Sequence, residues 1–151
     1  MKNIGFLLLA GLIFSACNQN SNQTTASADK KEAVRDGVFI HITECYDDPH
    51  KVLMPLKMAT MMADDKDVLV YMDIHAVQLL LKDSKDIEFA DFESAHTYIR
   101  KLLEMKAGVY ACPTCLKIAG YSPEDLMDGI QVAQKDKFFN FTGGRIITLD
   151  Y

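Results

Sequence analysis

The sequence predicts an α/β domain: a three-layer sandwich around a mostly parallel sheet of about five strands. Three observations carry that expectation. Short β-branched apolar runs alternate along the chain with segments of helical periodicity, as strand–crossover–strand units do. Several of the runs are apolar at nearly every position rather than at every second one, as strands covered on both faces require. Capping and turn residues separate the segments.

Gly37-Val38-Phe39-Ile40-His41-Ile42-Thr43 reads as the first buried strand. Asp47 and Asp48 precede a helical pattern, and either carboxylate suits its N-cap. Met54, Met58, Met61 and Met62 fall at i, i+4, i+7 and i+8, a stripe expected to face the core. Pro55 leaves two arrangements: a regular helix beginning near Met54 with Pro55 in its first turn, or a longer helix kinked there. Residues 63–67 form a turn, 68–72 the second buried strand, 74–81 a short helix and 82–86 a polar turn. Phe92, Ala95, Ile99, Leu102 and Leu103 make another helical stripe, which ends near Lys106 and is broken by Ala107-Gly108. Residues 109–111 are the third strand. Cys112-Pro113-Thr114-Cys115 follows directly and continues as helix through 116–119 to Gly120. Ser122 with Pro123 behind it marks another helix start. Residues 130–133 give the fourth strand, 135–141 a helical turn, Gly143-Gly144 a break and 145–149 the last strand.

The N-terminus reads as an address. Lys2 opens a positive start, residues 4–14 are almost wholly apolar, and Ser15-Ala16 are small, the layout of a secretory signal. The run Ile13-Phe14-Ser15-Ala16-Cys17 resembles a bacterial lipobox, with Phe14 in place of the more usual Leu. That resemblance implies a lipoprotein signal peptide over 1–16 and acylation of Cys17; the other reading is an ordinary signal peptide with an incidental cysteine. Residues 17–36 are polar with almost nothing to bury and read as a flexible tether, leaving 37–151 as the folded domain. Asn18, where an Asp would signal inner-membrane retention, points by analogy to the outer membrane. The expected location is therefore the periplasm, with the membrane reached through the lipid anchor only.

Composition narrows the function. Of 151 residues, 49% are hydrophobic and 25% charged, the balance of a globular domain rather than a disordered chain. Sixteen Lys plus Arg against 21 Asp plus Glu leave a net charge of −5, which argues against nucleic acid as a partner. No Gly-rich phosphate loop follows the first strand and no serine nucleophile elbow is present.

Four cysteines are the informative count. Cys112 and Cys115 form a C-x-x-C pair at a strand-to-helix junction, where free backbone N–H groups and the helix dipole stabilise a thiolate. Cys112 is expected at the cap as nucleophile and the more exposed of the two, with Cys115 one turn on as the resolving thiol. The same spacing suits a soft metal, Cu(I) or Zn, or a permanent structural disulfide in a non-catalytic interaction domain. Cys45, in the loop after the first strand, reads either as a third thiol approaching the pair or as a small half-buried residue. His75, after the second strand, is the acid/base or ligand candidate, against a plain exposed loop histidine. His41 reads as a packed strand residue. His50 either helps cap its helix or faces the site. In parallel sheets chemistry gathers at the carboxyl ends of strands, and Glu44-Cys45, Asp73-Ile74-His75 and Cys112 all fall there.

Three stretches carry a wider resemblance. They are Val38 to Thr43 with Asp48-Pro49-His50, then Val68 to Asp73 with Ala76-Val77, and Gly108-Val109-Tyr110-Ala111-Cys112 with Gly120. Together they resemble the DsrE/DsrF-like family over nearly all of 37–151. The resemblance implies a flavodoxin-like layered arrangement, persulfide carriage in sulfur relay on a cysteine at the position of Cys112, a sulfur or thiol partner protein, and a homotrimer or hexamer. No cofactor is expected, apart from the Cu(I) or Zn of the metal-binding reading. Cys115 adds a C-x-x-C that sulfur-carrier members generally lack.

Overall fold

The computed structural model describes residues 33–151. The expected signal peptide over 1–16, the expected lipidation site Cys17 and most of the expected 17–36 tether lie outside the described residues. The last residues of that tether are already fastened to the domain. Arg35 donates to the carbonyls of Ala63 and Lys66, and Asp36 pairs with Arg145. No helix among the described residues is long and apolar enough to cross a membrane.

Among the described residues eleven elements run in the order β1 (Gly37–Ile42), α1 (Pro49–Met62), β2 (Asp67–Met72), a 3-10 turn (Ala76–Leu80), α2 (Ala95–Glu104), β3 (Gly108–Ala111), α3 (Pro113–Ile118), a 3-10 turn (Pro123–Asp125), β4 (Gln131–Val132), α4 (Lys135–Phe139) and β5 (Ile146–Asp150). The five strands form one sheet, and every pairing within it is parallel. The layered α/β class expected from the sequence is the one observed. The strand order is β4-β3-β2-β1-β5, whereas flavodoxin runs 2-1-3-4-5.

That order explains the layers. The chain steps from β1 to β4 in one direction across the sheet, then returns to pair β5 with β1. Right-handed crossovers place helices of opposite step direction on opposite faces. Accordingly α1 and α2 pack together on one face, while Phe138 of α4 meets Phe39, Tyr71 and Tyr110 on the other.

The first face is the dry one. Register puts Val38 beside Val68, Ile40 beside Val70 and Ile42 beside Met72, and then Val70 beside Val109 and Met72 beside Ala111. All are buried, against Val52, Leu53, Leu56 and Ala59 of α1 and Ala95, Tyr98, Ile99 and Leu102 of α2. The expected methionine stripe is therefore corrected. Met54, Met58 and Met62 are half-buried and Met61 is 63% exposed. The stripe of branched and small residues beside them, Val52, Leu53, Leu56 and Ala59, fills the interface instead. Of the two arrangements open for Pro55, the longer helix forms: Asp48 caps it by accepting the Lys51 N–H, Pro49 opens it, and Pro55 lies buried inside.

Two more expectations shift locally. The helix expected over 74–81 is a 3-10 turn, and Phe92 precedes α2, whose cap is Ser94. The second face of the sheet carries Phe39, His41 and Tyr71, all half-buried, under the single short helix α4.

Candidate functional site

Cys112 ends β3 and starts α3. Its backbone N–H reaches the Met72 carbonyl at 3.0 Å, continuing the ladder for one residue beyond the strand. Its φ and ψ of −66° and 119° are extended, so the side chain turns back over the new helix. There Sγ accepts the backbone N–H of Cys115 at 3.3 Å. A sulfur thus stands where a Ser or Asp oxygen usually caps a helix, and a thiolate caps better than a thiol. Pro113 takes the first helical position, where its missing N–H costs nothing. Leu116, buried, anchors α3 to the core.

The two thiols respond oppositely to this setting. Burial alone raises the Cys112 thiol. Hydrogen bonding from the Tyr71 hydroxyl, from Cys115 and from the N–H groups of Cys115 and Thr114 outweighs it, and Cys112 ends below the ordinary thiol value. For Cys115, burial and then its hydrogen bond to Cys112 raise the thiol, and the nearby charges of Cys112 and Asp73 add to this. The Ile74 N–H offsets only part. Cys112 therefore ionises first, while Cys115 keeps its proton, and the two titrate as a pair. Tyr71 is pushed upward by burial and then by its bond to Cys112, so its hydroxyl stays a donor.

The exposure expected of the pair is reversed. Cys112 is buried, 8% exposed, and Cys115 is half-buried. Cys112 continues the strand and faces Tyr71 beneath α3, whereas Cys115 lies one helical turn later, toward the loop after β2. The more accessible sulfur of the two is Cys115. Both are free thiols in the structure.

That loop is unusual. Ile74 has φ of +47°, a left-handed conformation that costs a β-branched residue dearly. Its neighbour His75 is exposed and caps the following 3-10 turn without a side-chain bond. Ile74, His75, Gln78, Cys115, Ile118 and Ala119 line an open cleft of about 370 Å³. His75 thus joins the site at its rim. A larger cavity, about 640 Å³, opens elsewhere, beside Asp67 and Gly108 at the amino ends of β2 and β3, and holds no cysteine.

A histidine that the sequence reading assigned to packing stands at the same edge of the sheet. His41 stacks on Tyr71, with Nε2 3.0 Å from Asp73 and Nδ1 2.8 Å from Asp150. Nε2 and the Asp73 oxygen are buried and out of line for a hydrogen bond. Strand alternation with β1 and β2 in register puts 41 and 71 on one face, but only the pairing of β5 brings Asp150 to His41.

Two other candidates fall away from the pair. Cys45 does follow β1, but it is 4% exposed within the core. Burial pushes its thiol up to about 11, against the N–H groups of Tyr46 and Leu79, and the expected approach as a third thiol is not seen. His50 lies between Phe89 and Phe92, with ring centroids 5.9 and 5.6 Å away, and Asp48 does the capping. Among the described residues no three His, Cys, Asp or Glu side chains gather to hold a metal.

Fold and site together define a parallel α/β domain with a dithiol at the carboxyl edge of its sheet. Neither a protein-family model nor a curated protein matches the chain. Solved structures do. The ychN protein from E. coli superposes with a TM-score of 0.61 at 17% identity, over 76% of this chain and 99% of that one. The protein of unknown function MTH1491 from Methanobacterium thermoautotrophicum gives 0.56 at 22%, over 75% and 98%. The conserved protein of unknown function BT1422 from Bacteroides thetaiotaomicron gives 0.52 at 19%, over 76% and 95%. At such identities the likeness is one of fold, and that fold is the DsrE-like one the sequence resemblance implied.

Proposed function

We propose that this protein handles sulfane sulfur or exchanges disulfides through Cys112 and Cys115. The observation that carries the reading is the capped pair itself: Cys112 Sγ held by the Cys115 N–H at 3.3 Å, with a more exposed, protonated Cys115 one turn away. In exchange, Cys115 attacks a substrate disulfide while its proton passes to the Cys112 thiolate. One substrate sulfur departs as thiolate. Cys112 then attacks the Cys115 sulfur of the mixed disulfide, and its proton leaves with the second substrate thiol. The pair ends oxidised by two electrons, and the substrate is reduced by two. With a persulfide donor, the terminal sulfur moves onto a cysteine of the pair and the donor leaves as a thiol. Attack by the other cysteine on its inner sulfur would release hydrosulfide and leave the same disulfide.

The proposed setting is the periplasmic face of a membrane, outer rather than inner, with acylated Cys17 as the anchor and a sulfur or thiol protein as the partner. Self-assembly as a homotrimer or hexamer belongs to the same proposal. Palmitate labelling of wild type and its loss in Cys17→Ala test the anchor. For the chemistry, Cys112→Ser is expected to trap a mixed disulfide on Cys115, and Cys115→Ser to trap little. Mass spectrometry of the native protein separates disulfide, persulfide and bound metal. A native mass with an intact metal, or no sulfur adduct or disulfide under any donor, overturns the reading.

A further inference from the structure

The cleft beside Cys115 carries a statement about what the pair meets, resting on the exchange reading above. Its six lining residues include no Asp, Glu, Lys or Arg. Two of them are large apolar side chains held in water: Ile74 is 54% exposed and Ile118 81%. Ile74 takes that position at the cost of left-handed backbone, the same turn of chain that brings its N–H to the Cys115 sulfur. Burial drives neither isoleucine to its place, since both face solvent. His75 and Gln78 add polar groups that make no side-chain hydrogen bond to another described residue.

We infer that the cleft docks a cysteine-bearing polypeptide segment with apolar residues beside its cysteine, the substrate disulfide being presented to Cys115 between Ile74 and Ile118. A small thiol is a poorer fit. Sites for small ligands bury most of the ligand's surface, and here the two walls stand in water. A polypeptide brings its own cover to such walls, and its backbone amides match the free polar groups of His75 and Gln78. Charged small thiols find no counter-charge in the lining.

The test uses the reduced full-length protein with three neutral disulfide probes. The first is a peptide with Leu on both sides of its cysteine, joined to 2-mercaptoethanol. The second is the same peptide with Ser in place of Leu, and the third is dibutyl disulfide. Hydroxyethyl disulfide serves as the reference for intrinsic reactivity. The Leu peptide is expected to react about tenfold faster than the Ser peptide, since one or two apolar side chains leave water on docking. Ile118→Asp, at a solvent-exposed position, should abolish that preference, each peptide rate being taken as a ratio to the hydroxyethyl disulfide rate of the same variant. Equal rates for the two peptides, or a preference untouched by Ile118→Asp, overturn the inference while the exchange reading stands. An equal preference for dibutyl disulfide, lost in the same variant, overturns the polypeptide assignment. No reaction with any of the four overturns the exchange reading and the inference with it.

Discussion

The imidazole of His41 lies on the ring of Tyr71, centroids 5.6 Å apart and planes 25° from parallel, and that tyrosine is the side chain that does most to hold the Cys112 thiol below its ordinary value. Phe138 meets the same ring edge-on at 4.9 Å. The tyrosine is thus fixed by two rings from two other elements, one of them held between Asp73 and Asp150. A donor pre-set in this way stabilises a thiolate without being reorganised when charge appears.

Tyr71→Phe removes that donor and leaves the burial. The Cys112 thiol is expected to rise toward the ordinary thiol value, because the charged form loses a hydrogen bond while its burial remains. Titration of the thiolate absorbance in wild type and variant measures it. An unchanged curve would deny Tyr71 its role.

Cys45 should behave as the opposite kind of thiol. Iodoacetamide at neutral pH is expected to label the C-x-x-C pair in the native protein and spare Cys45 until the chain is unfolded. Its folded-state thiol is raised from 9.0 to about 11, so folding favours the protonated form. That stabilisation is complete below about pH 9 and is lost as pH climbs through about 11. The loss is on the order of 2–3 kcal/mol. Chemical denaturation across that window, compared with Cys45→Ala, should show a shallower alkaline decline in the variant.

Ile74→Gly tests the strained loop. The substitution relieves a left-handed β-branched residue at a position already 54% exposed, so little burial is lost. A gain on the order of 1 kcal/mol is expected. Urea unfolding gives the number, and a loss of stability would mean the isoleucine side chain packs more than its exposure indicates.

The face of α1 gives a paired measurement. Leu53→Ala empties a fully buried position and should cost about 2–5 kcal/mol. Met61→Ala, at 63% exposure, should stay within about 0.5 kcal/mol. Comparable losses would restore the methionines to the core.

Local chemistry was legible in the sequence. Strand runs at 37–43, 68–72 and 109–111 declare themselves by branching and hydrophobicity, and an N-cap followed by proline locates Cys112 at its helix start, because each signal lives within a few residues. Tertiary structure decided everything that depends on register and crossover direction. Parallel pairing of β5 with β1 set Asp150 beside His41 across more than a hundred residues. The reversed step to β5 put α4 over Tyr71. The packing of α3 against the loop after β2 left Cys115, rather than Cys112, toward the open cleft. Those contacts join segments remote along the chain, and a periodic pattern records only which residues shun water, never which of them meet.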